Sequence, residues 1–162
     1  MHSKTGSIAT IDIRTESPNQ SEVVTLIAAS DAYLASLYPA ESNHLADVET
    51  LSRPEVTFLV ARMAGKAVGC GAILRRGREY AEIKRMFVAP EARGIGLGRL
   101  ILDKLERAAS EQELKILRLE TGIRQPEALA LYRSAGFDEI EPFGDYVADP
   151  LSVFMEKRLG AD

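Results

Sequence analysis

The sequence predicts an α/β (α+β) fold: a mixed, mostly antiparallel central sheet of about six or seven strands flanked by about four helices. Apolar residues alternate in some segments and recur at helical spacing in others, and turn residues divide them in the order β-α-α-β-β-β-α-β-α-β-β. Short turns between most strands make hairpins, whereas one strand-helix-strand crossover makes the sheet mixed. At 162 residues, 46% of them hydrophobic, the chain supports one sizeable core, and residues 1–162 read as a single domain.

Ile11 and Ile13 share one face of a first short strand. Ser17-Pro18 supplies a cap and a preset φ for a helix start, and Val23, Ile27, Leu34 and Leu37 keep helical spacing until Tyr38-Pro39 stops the pattern. A weaker helix over 44–51 precedes Pro54, which leaves 38–43 as a loop. Residues 56–63 and 66–74 are β-rich and separated by Ala64-Gly65, a tight hairpin turn. After Arg75-Arg76-Gly77 comes a strand over 81–88 closed by Pro90; Leu97, Ile101 and Leu105 then start a helix that runs to Ala108. A strand over 114–120 follows, Gln125-Pro126 begins a helix that Gly136 ends, and 137–140 and 151–159 are the last strands.

A formal net charge of −4 offers no basic field to gather nucleic acid or an anionic membrane, so neither is an expected partner and any anion must be bound locally. Cys70 is the only cysteine, which excludes an internal disulfide, and between Gly69 and Gly71 in an apolar strand it reads as a buried structural thiol. No apolar run is long enough to span a bilayer, and the first residues lack the apolar stretch of a secretory signal. A cytoplasmic protein acting on small molecules is the resulting expectation. Asp145 and Asp149 lack the spacing of a Ca²⁺ loop, and no metal is expected.

The segment that carries chemistry is Arg93-Gly94-Ile95-Gly96-Leu97-Gly98, between a strand and a helix. Glycines let the backbone approach phosphate oxygens, the helix N-terminus adds about half a positive charge, and Arg93 and Arg99 add ionic contacts. A dinucleotide fingerprint needs G-x-G-x-x-G early in a βαβ unit and a Walker loop needs G-K-[ST]; neither is present. A surface turn would need at most one glycine.

R-x-x-G-x-G in this setting resembles the acyl-CoA pyrophosphate loop of the GNAT superfamily of N-acyltransferases. The preceding Met86-Phe87-Val88-Ala89-Pro90 is similar to the family's strand end, hydrophobic-x-V-x-P, which splays from its neighbour so that free backbone groups pair with pantetheine amides. The family's N-x-x-A-x-x-L-Y-x-x-x-G-F is matched by 125–137, with Gln125 in place of the usual asparagine on the pantetheine arm. Segments 119–128 and 142–155 also resemble a bacterial subgroup that includes YsnE-type proteins. The resemblance implies a GNAT-like fold, acetyl-CoA as cosubstrate, direct transfer without an acyl-enzyme, and homodimerisation as in many similar proteins. It also implies that Met86, Phe87, Val88, Arg93, Gly94, Ile95, Gly96, Leu97, Gly98, Arg99, Gln125 and Tyr132 form the cofactor site.

Acyl transfer to an amine needs a neutral amine, a donor for the oxyanion and a proton for the leaving thiolate. Tyr132 is the candidate acid, since a phenol's ordinary pKa of about 10 is close to a thiol's. The resemblance makes the N–H of Met86 or Phe87 the oxyanion donor. For the base, Glu82, Glu120, Glu41 and His44 stay open. Strand alternation puts Ile83, Arg85 and Phe87 on one face and Glu82, Lys84 and Met86 on the other unless a bulge intervenes. Tyr38, Glu41, His44, Phe143 and Tyr146 are candidate acceptor contacts, and Arg75-Arg76 would suit an acceptor bearing a carboxylate. The leading reading is an N-acetyltransferase for a small-molecule amine. A protein or peptide acetyltransferase, or an acyl-CoA-binding regulatory module without turnover, are the alternatives.

Overall fold

A computed structural model describes residues 10–43 and 45–160. The elements run β1 (Ile11–Thr15), α1 (Ser21–Leu37), a 3-10 turn (Ala40–Ser42), α2 (Val48–Leu51), β2 (Val56–Met63), β3 (Lys66–Arg76) and β4 (Tyr80–Val88). A second 3-10 turn (Pro90–Ala92), α3 (Leu97–Glu111), β5 (Ile116–Gly122), α4 (Pro126–Ser134), β6 (Asp138–Ile140) and β7 (Ser152–Arg158) complete them. One seven-stranded sheet has the order β1-β2-β3-β4-β5-β7-β6, and only β4 and β5 run parallel. This is the mostly antiparallel sheet with four helices that the sequence predicts.

Local rules account for much of it. Ala64 and Gly65 both take positive φ, 53° and 84°, which gives the β2–β3 turn the twist that matches its strands. On α3 the residues Leu97, Ile101, Leu102, Leu105 and Ala109 form one buried stripe. That stripe packs with α4 on one face of the sheet, over Ile83, Leu117, Leu119 and Met155. On the other face α1 buries Val23, Leu26 and Ile27 against Phe58, Val60, Cys70 and Phe87. The Cys70 Sγ donates to the Arg85 carbonyl at 3.2 Å, and burial pushes the thiol up to about 12, so it stays protonated and unreactive.

Tertiary contacts shift several boundaries. The first helix starts at Ser21, not at Ser17-Pro18, because Arg62 grips Glu16 through two bonds of 2.9 Å and also reaches Gln20 and Glu22. That grip leaves Gln20 with extended backbone, φ −128° and ψ 142°, directly before the helix. The helix expected over 44–51 is a single turn, capped where the Asp47 carboxylate accepts from the Thr50 N–H at 2.8 Å. Strand β5 starts two residues later than expected, since the Leu114 N–H still bonds Ala109 at the end of α3.

The feature that makes a site is a fork. Strands β4 and β5 pair only through Ala81↔Leu117, Glu82↔Arg118 and Ile83↔Leu119. Beyond that, β5 continues on β7 to Gly122 and β4 continues on β3 to Val88, so the two part. A bulge sits at the parting: β3 passes from Cys70↔Phe87 to Ala72↔Lys84, so Gly71 alone opposes Arg85 and Met86. Arg85 takes φ 58°, left-handed for a bulky residue, and its buried side chain holds that turn from the α1 side. It donates to the Ala46 carbonyl at 2.8 Å and pairs with Asp31 at 2.5 Å.

The bulge overturns the simple alternation beyond Lys84. Arg85 lies with α1, together with Phe87, while Met86 and Val88 join Ile83 on the α3 face. Gly71 is required there, because a Cβ would lie 2.7 Å from the Met86 sulfur and 2.9 Å from a methyl of Ile101. Gly71→Val should destabilise the fold by about 2–3 kcal/mol, read as a lower midpoint in urea at unchanged slope. An unshifted midpoint would mean that the bulge tolerates a side chain.

Candidate active site

The fork opens into a cleft of about 550 Å³, lined by α1, residues 42, 43 and 45, the free edge of β4, the end of β5 and the first turns of α3 and α4. At one end lies the glycine loop. Gly94 and Gly96 take φ of 83° and 80°, the left-handed region open to glycine, and Gly96 caps α3 without any side chain. The first intrahelical bond is Leu100 N–H to Gly96 O at 3.1 Å. The amides of Leu97, Gly98 and Arg99 therefore have no acceptor within the helix, and a Cβ at Gly94 or Gly96 would meet open space. Unpaired amides on a helix dipole beside open space fit a pyrophosphate.

The side chains of the loop have distinct duties. Arg93 donates to the Val88 carbonyl at 2.9 Å and lies over the rings of Tyr33 and Phe87 at 5.5 and 5.7 Å, which presents a cation at the cleft wall. Arg99 instead pairs with Asp103 one turn along the helix. Leu97 is core, Ile95 is exposed, and only Arg93 and Gly98 of the loop line the cleft through their own atoms.

Along the free edge, direction follows from the pairing. The Ala89 N–H donates to Val68 on β3 at 2.8 Å, so by alternation the Phe87 N–H also faces β3 and that of Val88 faces the gap, while Met86, in the bulge, lines the cleft. Tyr132 on α4 lines the gap, 5% exposed, with its ring edge-on to Phe137 at 5.6 Å. Its burial pushes the phenol up and keeps it protonated.

Glu120 sits one residue past the last β4–β5 pair, lines the cleft, and accepts from Ser152 Oγ at 2.6 Å. Tyr38 and Gln125 also line the cleft and bond each other at 3.1 Å. The other sequence candidates fall elsewhere. Glu41 is exposed and outside the cleft lining, although its neighbours Ser42 and Asn43 belong to it. His44 lies outside the described residues. Glu82, Phe143 and Tyr146 line a second cavity of about 370 Å³ with Arg76, Tyr80, Gly144 and Asp145.

Glu82, 1% exposed, is held there by Arg76 and Lys84, each at 3.2 Å, and by the Tyr146 hydroxyl, which donates to it. Burial, with Glu82 beside it, pushes the Tyr146 phenol up. The Arg75-Arg76 pair faces away from the cleft: Arg75 bonds the Gly77 carbonyl and Arg76 is engaged with Glu82. Sequence reasoning missed Tyr33, Lys84 and Arg85 in the cleft wall. Lys84 alone had a signal, its alternation with Glu82. Among the described residues no three His, Cys, Asp or Glu side chains cluster as a metal site, and no helix is long and apolar enough to cross a membrane.

A forked sheet with an anion loop at one side of the fork defines an acyl-CoA-binding acyltransferase. The sequence profile of the Acetyltransferase (GNAT) family matches residues 24–137, and the chain belongs to that family. It is 53% identical over 150 residues to an IAA acetyltransferase of Azospirillum brasilense, covering 92% of this chain and 98% of the relative. It is 35% identical to the uncharacterized N-acetyltransferase YsnE of Bacillus subtilis, over 85% of this chain and 93% of that one. A crystal structure of a putative acyl-CoA N-acyltransferase from Klebsiella pneumoniae superposes with a TM-score of 0.79 at 38% identity, over 93% of this chain and 98% of that one. The protein is thus an N-acetyltransferase with acetyl-CoA as cosubstrate.

Gly96→Val forces a β-branched residue to φ 80° and places methyl groups in the open space before the α3 amides. Coenzyme A affinity, by calorimetry, should fall at least about tenfold while the fold is kept. Unchanged affinity would move the pyrophosphate to another part of the surface.

Proposed function

We propose that the protein transfers acetyl directly from acetyl-CoA to the primary amine of a small molecule, with both substrates in the forked cleft at once. The observation that carries this reading is the fork itself, which brings Met86, Tyr132 and Glu120 around one space beside the glycine loop. The loop after α1 is tied to the segment before β7, where Ser42 Oγ donates to Asp149 at 2.8 Å, and this tie beside the cleft favours a small acceptor.

In this mechanism Glu120 takes the proton of the amine, directly or through water, and the amine nitrogen attacks the thioester carbon. The Met86 amide donates to the oxyanion, a reading supported over Phe87 by the Ala89 N–H, two residues on, which pairs with β3. As the carbon–sulfur bond breaks, Tyr132 donates its proton to sulfur, and solvent restores it once product has left. Glu82 is screened from the cleft by Lys84 and Tyr146 and would act only through them.

Release of CoA, followed with a thiol reagent, tests the reading across amino acids, polyamines, aminoglycosides, lysine peptides and IAA, the compound in the name of the Azospirillum relative. A small amine is expected to give the highest kcat/KM. Preference for lysine peptides would replace this reading with a protein acetyltransferase, and tight CoA binding without turnover would leave a regulatory module.

Tyr132→Phe should lower kcat about 10²-fold or more while acetyl-CoA affinity stays within about twofold. An undiminished rate would remove it as the acid. The raised phenol pKa has a sign that can be checked: the acid form persists to higher pH than in a free tyrosine. The wild-type rate should therefore rise as the amine deprotonates and show no falling limb below about pH 10.

A further inference from the structure

Tyr38 is the last residue held by α1, its N–H bonded to the Leu34 carbonyl at 3.0 Å, and it stands where the chain enters the acceptor-side loop. Expected as an acceptor contact, it is instead only 8% exposed, and its hydroxyl is already engaged. The oxygen accepts from the Arg124 N–H at 3.0 Å, and the proton is donated to Gln125 Oε1 at 3.1 Å. Three further features fix the ring. Gly122 leaves room for it, since a Cβ there would lie 1.9 Å from the hydroxyl oxygen. The Arg124 guanidinium stacks on the ring at 5.9 Å, and it also donates to the Leu37 carbonyl at 2.5 Å.

The consequence falls on Gln125. A carboxamide offers an oxygen that accepts and a nitrogen that donates twice, and the two ends are interchangeable unless a neighbour distinguishes them. The Tyr38 hydroxyl accepts from the Arg124 N–H and donates to Gln125, and that donated proton selects the oxygen. The Gln125 NH₂ is then the end left for the cleft. Gln125 precedes α4 and lines the same cleft as Met86, Val88 and Tyr132. An extended ligand beside Gln125 in that cleft would offer an amide carbonyl as the group that an NH₂ can hold.

We infer that Tyr38 is a positioning residue for the cofactor: it locks the Gln125 carboxamide with its nitrogen toward the cleft, where it donates to a carbonyl of the pantetheine arm. The inference rests on the acetyl-CoA assignment of this cleft. A glutamine in this position is one methylene longer than asparagine and has one more torsion to immobilise, which gives a fixed tyrosine a physical task.

Tyr38→Phe removes only the hydroxyl, and Gln125→Ala removes the donor. Each should raise the acetyl-CoA dissociation constant about 3–10-fold, and the double variant should be no worse than Gln125→Ala. Gln125→Glu keeps an acceptor for Tyr38 but has no donor, and should lose as much as Gln125→Ala. Binding of phospho-ADP, the nucleotide half of coenzyme A that lacks the arm, should be unchanged in all four. An unaltered acetyl-CoA constant in Tyr38→Phe, additive losses in the double variant, or an equal loss of phospho-ADP binding would overturn the inference, the last by reducing Tyr38 to a support for the fold. If the wild type bound neither nucleotide, the cofactor assignment would fall and this inference with it.

Discussion

The parting of β4 from β5 after Ile83 and Leu119 is the constraint on which the rest of the site depends. Two adjacent strands normally satisfy each other's backbone groups, and separating them leaves amides and carbonyls without partners. Here the separation is held from both sides. Strand β5 stays on β7 through seven consecutive pairs, from Ile116 to Gly122. Strand β4 stays on β3, bent by the bulge at Gly71 and drawn toward α1 by Arg85, which reaches Ala46, Ser30 and Asp31. The cost of a left-handed arginine, of order 1–3 kcal/mol, is thereby offset by charged contacts that exist only in that conformation. What the fork exposes is a row of amides ready for an extended ligand rather than for another strand.

A second consequence concerns charge. The chain carries a net charge of −4, yet its cosubstrate is a polyanion, so attraction cannot come from the molecule as a whole. The local positive features beside the cleft are the α3 amides and one arginine whose place is set by aromatic contacts. Arg93 rests on Tyr33 and Phe87, one from α1 and one from β4, so the cation is tied to both walls of the cleft. Arg99, equally close in sequence to the glycines, pairs with Asp103. Proximity to the motif did not separate these two arginines; their surroundings did.

Legibility in the sequence follows the same division. The Ala64-Gly65 turn, the glycine loop, the stripe of α3 and the Gly136 stop are decided within a few residues, and all are where the sequence puts them. The start of α1 is not, because Arg62, more than forty residues away, decides it. Nor is the bulge, since neither Gly71 nor Arg85 announces a left-handed residue, and with it goes the face of every residue from Arg85 to Val88. For the candidate site, Tyr132, Gln125, Tyr38 and Glu120 all line one cleft. Phe143 and Tyr146 do not, because the segment between β6 and β7 folds behind β4, against Tyr80 and Phe154, where aromatic packing rather than local pattern holds it.

Glu82 and Glu120 lie on adjacent strands, each one residue from the last β4–β5 pair. Each flanks the last β4–β5 pair, one before it on β4 and one after it on β5. Glu82 is fully enclosed with two cations and a phenol, and a buried carboxylate is stable only with such partners. Taking it away removes the carboxylate partner of both Lys84 and Arg76, and the loss falls mainly on Lys84, the more buried of the two. Because Lys84 also forms part of the cleft wall, that disturbance would reach the acceptor without Glu82 ever touching it. Glu120 accepts from a serine hydroxyl and has direct access to the cleft. In the proposed mechanism the carboxylate that takes the proton needs that access, whereas the one that stabilises the wall needs its charge to stay fixed. The fork keeps the two tasks on separate strands.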